Sequence, residues 1–211
     1  MQQLITETQS SELPLAVEVE EYEDSTKSYV WTREEYYRLA ETGFFEGKQV
    51  ELLEGEIFEM SPMKTPHAVA VRLIVELMRK IFAVGFIVDS QMPLSFSQKS
   101  EPEPDIAIVK GEIRDFMESH PAFAELIIEV SDTTLSYDRK RKGSLYAKNN
   151  IQDYWIVNLK DRRLEIYRRP ITDDETFYGF GFGEIQIFTE TGTVSPLVKP
   201  EAEIKVADLL P

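Results

Sequence analysis

The chain has 211 residues, 42% of them hydrophobic and 29% charged, proportions of an ordinary globular domain rather than of a disordered or fibrous chain. With 23 Lys and Arg against 38 Asp and Glu the net charge is −15, so a polyanion would need a local basic face to overcome a surface that repels it on average. Cysteine is absent and histidine occurs twice, at His67 and His120. Disulfide scaffolds, thiol catalysis and thiolate metal sites are thereby excluded, and a two-histidine centre has little support.

Residues 1–29 carry seven acids and one lysine without a strong period, which predicts a disordered acidic leader before a single domain over 30–211. Acids stand where a signal peptide needs a basic flank and an apolar run, and no stretch approaches the roughly 18 apolar residues of a membrane span. The expectation is a cytoplasmic protein with no membrane partner. WTREEYYRLAETG predicts a first helix, with Thr32 as cap, Glu35 three residues on and a stop at Gly43. QVELLEGEIFEMSP reads as a hairpin turning at Glu54-Gly55. In HAVAVRLIVELMRKIF the apolar positions Val71, Ile74, Val75, Met78, Ile81 and Phe82 have the spacing of a core-packed helix.

FIVDSQMPLSF, PDIAIVK and AELIIEV predict three strands, the last two apolar enough to be buried on both faces. Between them GEIRDFMESHP reads as a short helix or loop. TLSYDRKRKGSLYAKNN predicts a polar, basic helix capped by Thr134 or Ser136, with a break at Gly143 and an end at Asn149-Asn150. DYWIVNLK and RLEIYRRP follow as strands about a Lys160-Asp161 turn, then β-rich FYGFGFGEIQIF and a tail ending in a short helix. This order implies an α+β fold with a central mixed sheet flanked by helices.

Two of these strands hold acids where burial makes charge costly. Glu129 lies inside LIIEVSD, and Asp105 opens PDIAIVK behind the conformationally fixed Pro104. A divalent cation such as Mg²⁺ would relieve two neighbouring carboxylates; for a single acid, capping or ion pairing is the commoner explanation. Asp138, Lys142 and Tyr146 are spaced by four and share a helix face. Turned toward the sheet, that face brings the Lys142 ammonium to the carboxylates, where it could stabilise a hydroxide or a developing phosphorane charge. Turned away, it offers only a surface Asp138–Lys142 pair, which the spacing by itself favours.

VELLEGEI, MSP with a following His, EPDIAIVK, LIIEVSDTT and YDRKRKGSLYAKNNIQDYWIV with a closing YR together resemble the Uma-two family. That group is assigned to the restriction endonuclease-like PD-(D/E)xK superfamily, and the resemblance covers about residues 30–210. It implies a restriction endonuclease-like core, a Mg²⁺ or Mn²⁺ cofactor, hydrolysis of phosphodiester bonds with DNA as favoured substrate, and a homodimer. By the same resemblance Asp105 and Glu129 are the motif acids, catalytic and metal-binding, and Glu51 is a further metal ligand. Lys142 takes the lysine role, with Lys140 as the weaker candidate, because Ser131 stands where the superfamily usually has its lysine. His67, Ser131 and Tyr146 are accessory, and Glu56 is the weaker acid because alternation along a strand sends residues at odd separation to opposite faces, with the intervening turn leaving its direction open.

From Arg139 to Arg169 the chain carries ten cations and three acids, a local +7 that leaves −22 elsewhere. Such a strip, with Arg139, Lys140 and Arg141 nearest the proposed site, suits a phosphate backbone and equally an acidic surface of the same chain or of a second copy. The aromatic residues Tyr154, Trp155 and Tyr167 fit core packing better than base stacking. Two alternatives to a hydrolase follow: a catalytically silent nucleic-acid or protein-binding module on the nuclease fold, and an oligomer-forming structural protein.

Overall fold

The computed structural model describes residues 26–211; of the expected acidic leader, only 26–29 fall within them. The first helix, α1 (Arg33–Glu41), starts as its sequence dictates: Thr32 accepts the Glu35 amide and the Glu35 carboxylate accepts the Thr32 amide at 2.9 Å, a complete capping box. Strands β1 (Val50–Leu53) and β2 (Glu56–Glu59) form the hairpin, with Glu54 at φ 49° and Gly55 at φ 84°. Two successive left-handed residues match the twist of the flanking strands. Gly55 is required on a second count, because a Cβ there would lie 2.2 Å from Val30 Cγ1 and 3.1 Å from the Trp31 carbonyl.

The long helix α2 (Thr65–Ile81) begins with Pro66 in its first turn and buries Ala70, Val71, Ile74 and Met78. It covers one face of a six-stranded sheet in the order β3 (Phe86–Asp89), β4 (Ile106–Lys110), β5 (Leu126–Ser131), β6 (Asp153–Asn158), β7 (Arg163–Thr172), β8 (Phe180–Thr189). Neighbours are antiparallel except β5 and β6, which run parallel and therefore need a crossover. The basic segment supplies it as α3 (Leu135–Tyr137), a π-helical stretch (Asp138–Lys142) and α4 (Gly143–Lys148), one after another.

Alternation divides the core. Ile106, Ile108, Ile128, Val130, Trp155 and Val157 pack with α2 and the C-terminal 3₁₀ turn Val206–Leu209. Ala107, Ile127, Tyr154, Ile156 and Tyr167 pack with Tyr146 on the opposite face. Tyr154, Trp155 and Tyr167 are all buried. The expected mixed α+β architecture is the one observed.

Three local expectations need correction. The strand expected over FIVDSQMPLSF ends at Asp89; beyond it the Gln91 amide turns back to the Pro104 and Asp105 carbonyls, and Leu94 to that of Pro102. Gly143 does not break the basic helix, since it keeps helical dihedrals and its amide bonds back to Asp138 and Lys140; the irregularity is the π turn before it. Thr134 stands at the helix start, but its hydroxyl donates to Asp138 Oδ2 at 2.7 Å instead of capping an amide. Strands β9 (Thr193–Val194) and β10 (Ile204–Lys205) close the tail as a small separate pair. Among the described residues no helix is long and apolar enough to cross a membrane.

Candidate active site

The β4–β5 register pairs Ile106 with Ile128, so one step further along Asp105 stands opposite Glu129. Both lie on the sheet face away from α2. Their backbones interlock: the Asp105 amide donates to Glu129 Oε2 at 3.3 Å, and the Val130 amide donates to Asp105 Oδ2 at 2.8 Å. The remaining Asp105 oxygen, Oδ1, lies 2.9 Å from His67 Nε2 in the first turn of α2. A carboxylate only accepts, so the hydrogen is on the imidazole.

Glu129 Oε1 accepts from the Lys142 ammonium at 2.9 Å and from the Tyr146 hydroxyl at 2.6 Å. Lys142 also lies 3.5 Å from Glu51 Oε2. Glu51 in turn accepts the Tyr137 hydroxyl at 3.0 Å and the Glu103 amide at 3.2 Å. Glu51, Glu129, Lys142 and Tyr146 are each 3% exposed or less. The face holding Asp138, Lys142 and Tyr146 thus turns inward, which removes the alternative of a surface pair. A cleft of about 250 Å³ opens onto Glu51, His67, Glu103, Asp105, Glu129 and Lys142.

Burial pushes the Glu129 carboxyl up, and the Asp105 and Asp138 charges add to this against the pull of Lys142. Burial alone would lower Lys142, but Glu129, Glu51, Asp138 and Asp105 outweigh it and hold the ammonium well above its ordinary range. Both directions follow from one imbalance: several carboxyls surround a single ammonium, so Lys142 stays charged while one acid is driven toward its protonated form. Burial likewise raises Asp138, and raises Glu103 together with the Glu51 charge. His67 is raised despite burial, through its bond to Asp105 and the nearby acids. A further cation would be favoured here.

The Ser131 hydroxyl, where the superfamily lysine would stand, is buried near the Asp138 carboxyl, with no well-aligned hydrogen-bond partner among the described residues. Glu56 is exposed and pairs with Arg141 at 2.8 Å; against the expectation from alternation it shares a hairpin face with Glu51, because the tight turn opposes it to Leu53, and it is kept from the cleft by its place beside the turn. Arg139 is bound to Glu165 at 2.6 Å. Two of the three residues expected to contact nucleic acid therefore already hold carboxylates of their own chain. More widely, seven of the ten cations between Arg139 and Arg169 form internal ion pairs, four with acids elsewhere in the chain and three with the strip's own Asp153, Asp161 and Glu165. Glu103, Gln91 and Tyr137 line or close the cleft without having been singled out from the sequence. None of them carried a legible signal: Tyr137 stands five residues before Lys142, a spacing that α-winding sends to another face and the π turn brings round, and Glu103 and Gln91 arrive on irregular chain.

A mixed sheet whose strand ends gather acids and one buried lysine beside a cleft defines a restriction endonuclease-like α+β class. Residues 33–198 match the model of the Uma2 family, described as "putative restriction endonuclease". The chain belongs to that family. Its fold is similar to that of a "putative nuclease belonging to DUF820" from Anabaena variabilis, with a TM-score of 0.63 at 16% identity, over 85% of this chain and 97% of that one. No curated protein matches the chain significantly.

Proposed function

We propose that this protein is a metal-dependent nuclease that hydrolyses phosphodiester bonds, with DNA as its favoured substrate. The observation that carries the reading is the meeting, at one cleft, of Asp105 and Glu129 from register-opposed positions with Lys142 between Glu129 and Glu51. The donor set is chemically suited to a hard divalent cation: carboxylate oxygens in excess over positive charge, with a buried hydroxyl at Ser131 that has no well-aligned partner among the described residues. Among the described residues no three acids or histidines form a ready cage. Lys142 accounts for this, since its ammonium occupies the gap between Glu129 and Glu51.

Asp105 and Glu129, helped by Glu51, would hold Mg²⁺ or Mn²⁺, which when bound supplies an acidified water and a counter-charge for a phosphate oxygen. His67 and the Val130 amide fix the Asp105 carboxylate in orientation. Lys142 donates to the attacking oxygen or to the charge that grows on phosphorus, and Tyr146 keeps Glu129 aligned while it does so. Plasmid and oligonucleotide cleavage with Mg²⁺ or Mn²⁺, in the wild type and in Asp105→Asn, tests the proposal. Cutting lost in the variant, together with lost Mn²⁺ binding in calorimetry, is the expected result; Mn²⁺ binding that survives Asp105→Asn refutes it.

A second reading, a binding module that no longer cuts, is favoured by that same ammonium bridging the acids. It predicts nucleic-acid binding that neither needs nor responds to divalent metal. The homodimer implied by the resemblance is checked by sedimentation equilibrium.

A further inference from the structure

Four consecutive cations, Arg139 to Lys142, start the central helix of the crossover, and three are committed inside the protein. Arg139 holds Glu165, Arg141 holds Glu56, and Lys142 holds Glu129 and Glu51. Among the described residues Lys140, exposed on the same stretch, is the one of the four without an ion pair. Its neighbours form a second groove of about 500 Å³, which includes Tyr137, Arg141 and Phe177 and shares Thr133 and Thr134 with the acidic cleft. The two hollows therefore adjoin at these residues.

Phe177, on the loop between β7 and β8, is 55% exposed. It is nevertheless fixed in place. The Arg141 guanidinium lies 4.5 Å from its centroid and 4.7 Å from that of Phe58, so it is held between the two rings. Phe177 thus presents a rigid ring at the lip of a groove whose free charge is an ammonium.

We propose that this groove binds an unpaired nucleotide flanking the bond to be cut, the base stacking on Phe177 and its phosphate meeting Lys140. The inference rests on the nuclease reading and names the substrate form: a single strand or an unpaired flank, since a base within a duplex cannot offer its face to a side chain. A hollow of this size takes a nucleotide or two. Stacking on one aromatic side chain and neutralisation of one phosphate are separable contributions with different salt responses.

The test measures binding of a fluorescent single-stranded oligonucleotide and of the blunt duplex, in EDTA so that nothing is cut, across a series of salt concentrations. Phe177→Ala is expected to weaken single-strand binding about tenfold with little change of salt slope, and Phe177→Trp to retain it. Lys140→Ala is expected to reduce the log–log salt slope by about 0.7. Neither side chain holds the core together, and thermal melts confirm that each variant is folded. The groove is refuted if both Ala variants bind as the wild type does, or if the wild type prefers the blunt duplex. Metal-dependent cutting with unaltered binding in both variants removes the groove and keeps the nuclease. Single-strand binding that tracks both variants in a chain that never cuts keeps the groove and removes the nuclease.

Discussion

Replacing Lys142 by Met keeps the length of the side chain and deletes its charge. The ammonium sits 2.9 Å from Glu129 Oε1 and 3.5 Å from Glu51 Oε2, with all three groups buried. At an effective dielectric constant near 20, each contact is worth about 5 kcal/mol of Coulomb energy. Desolvating the ammonium opposes this by several kcal/mol, so removing one partner of such a cluster is expected to cost about 3–5 kcal/mol. For a domain of this size that corresponds to a fall in Tm of roughly 10–15 °C.

The loss should depend on pH in a definite sense. Without Lys142 the Glu129 carboxyl, already raised by burial, is raised further, so the folded state holds a proton that the unfolded chain has released. Stability of the variant then falls as pH rises above the ordinary carboxylate value and recovers as pH drops toward it. The wild type shares this fall up to its own raised Glu129 value of about 8, so urea unfolding at pH 7 and pH 9 should show a larger deficit at pH 9. A deficit below about 1 kcal/mol at pH 9, or one that grows on acidification, would refute the account of Lys142 as the cation that holds the acids together. Mg²⁺ should stabilise Lys142→Met more than wild type, because it meets no competing ammonium.

Glu129→Gln should abolish metal-dependent cleavage and cost less stability than Lys142→Met, because it removes a carboxyl that burial disfavours and leaves Glu51 facing the ammonium; a melting curve beside a cleavage assay decides it. Arg139→Ala strands the buried Glu165, whose carboxyl is held below its ordinary value against burial by bonds from Arg139, Asn158 and Tyr167, and should cost about 2 kcal/mol in urea unfolding. A depressed carboxyl contributes its stability above the unfolded value of 4.5 and loses it as pH falls below, so the difference from wild type should fade on acidification. Gly55→Ala forces a Cβ against Val30 and the Trp31 backbone at a left-handed position, and should lower stability by about 1–3 kcal/mol, read from the urea midpoint.

The acids were legible because they break a rule: Asp105 and Glu129 interrupt strands that are otherwise apolar on both faces. Lys142 was legible through its four-residue spacing to Asp138 and Tyr146, though the same spacing fits a surface pair, and only the packing of Tyr146 against Tyr154, rings 4.9 Å apart, turns that face inward. The separation of Glu51 from Glu56 was misread from alternation: the register opposes Leu53 to Glu56 and Glu51 to Phe58, so both acids share one hairpin face and are set apart along it. The partners of the arginines were not legible, since Arg139–Glu165 and Arg141–Glu56 join residues 26 and 85 positions apart. Spacing along a sequence carries information about one helix or strand and none about which elements meet. For the same reason the local +7 looked like a free basic surface until folding set most of it against acids.

The π-helical stretch Asp138–Lys142 has a consequence for mutation by length rather than by substitution. A π turn is an α-helix carrying one surplus residue, wound wide enough that its five residues sweep about the arc that four cover in an α-helix. Deleting Lys140 should therefore restore regular winding with Tyr137 and Asp138 before it and Lys142 and Tyr146 after it still in phase. The surplus residue is slack taken up within one turn, so the helix can lose a position there and still present both of its ends to the same acids.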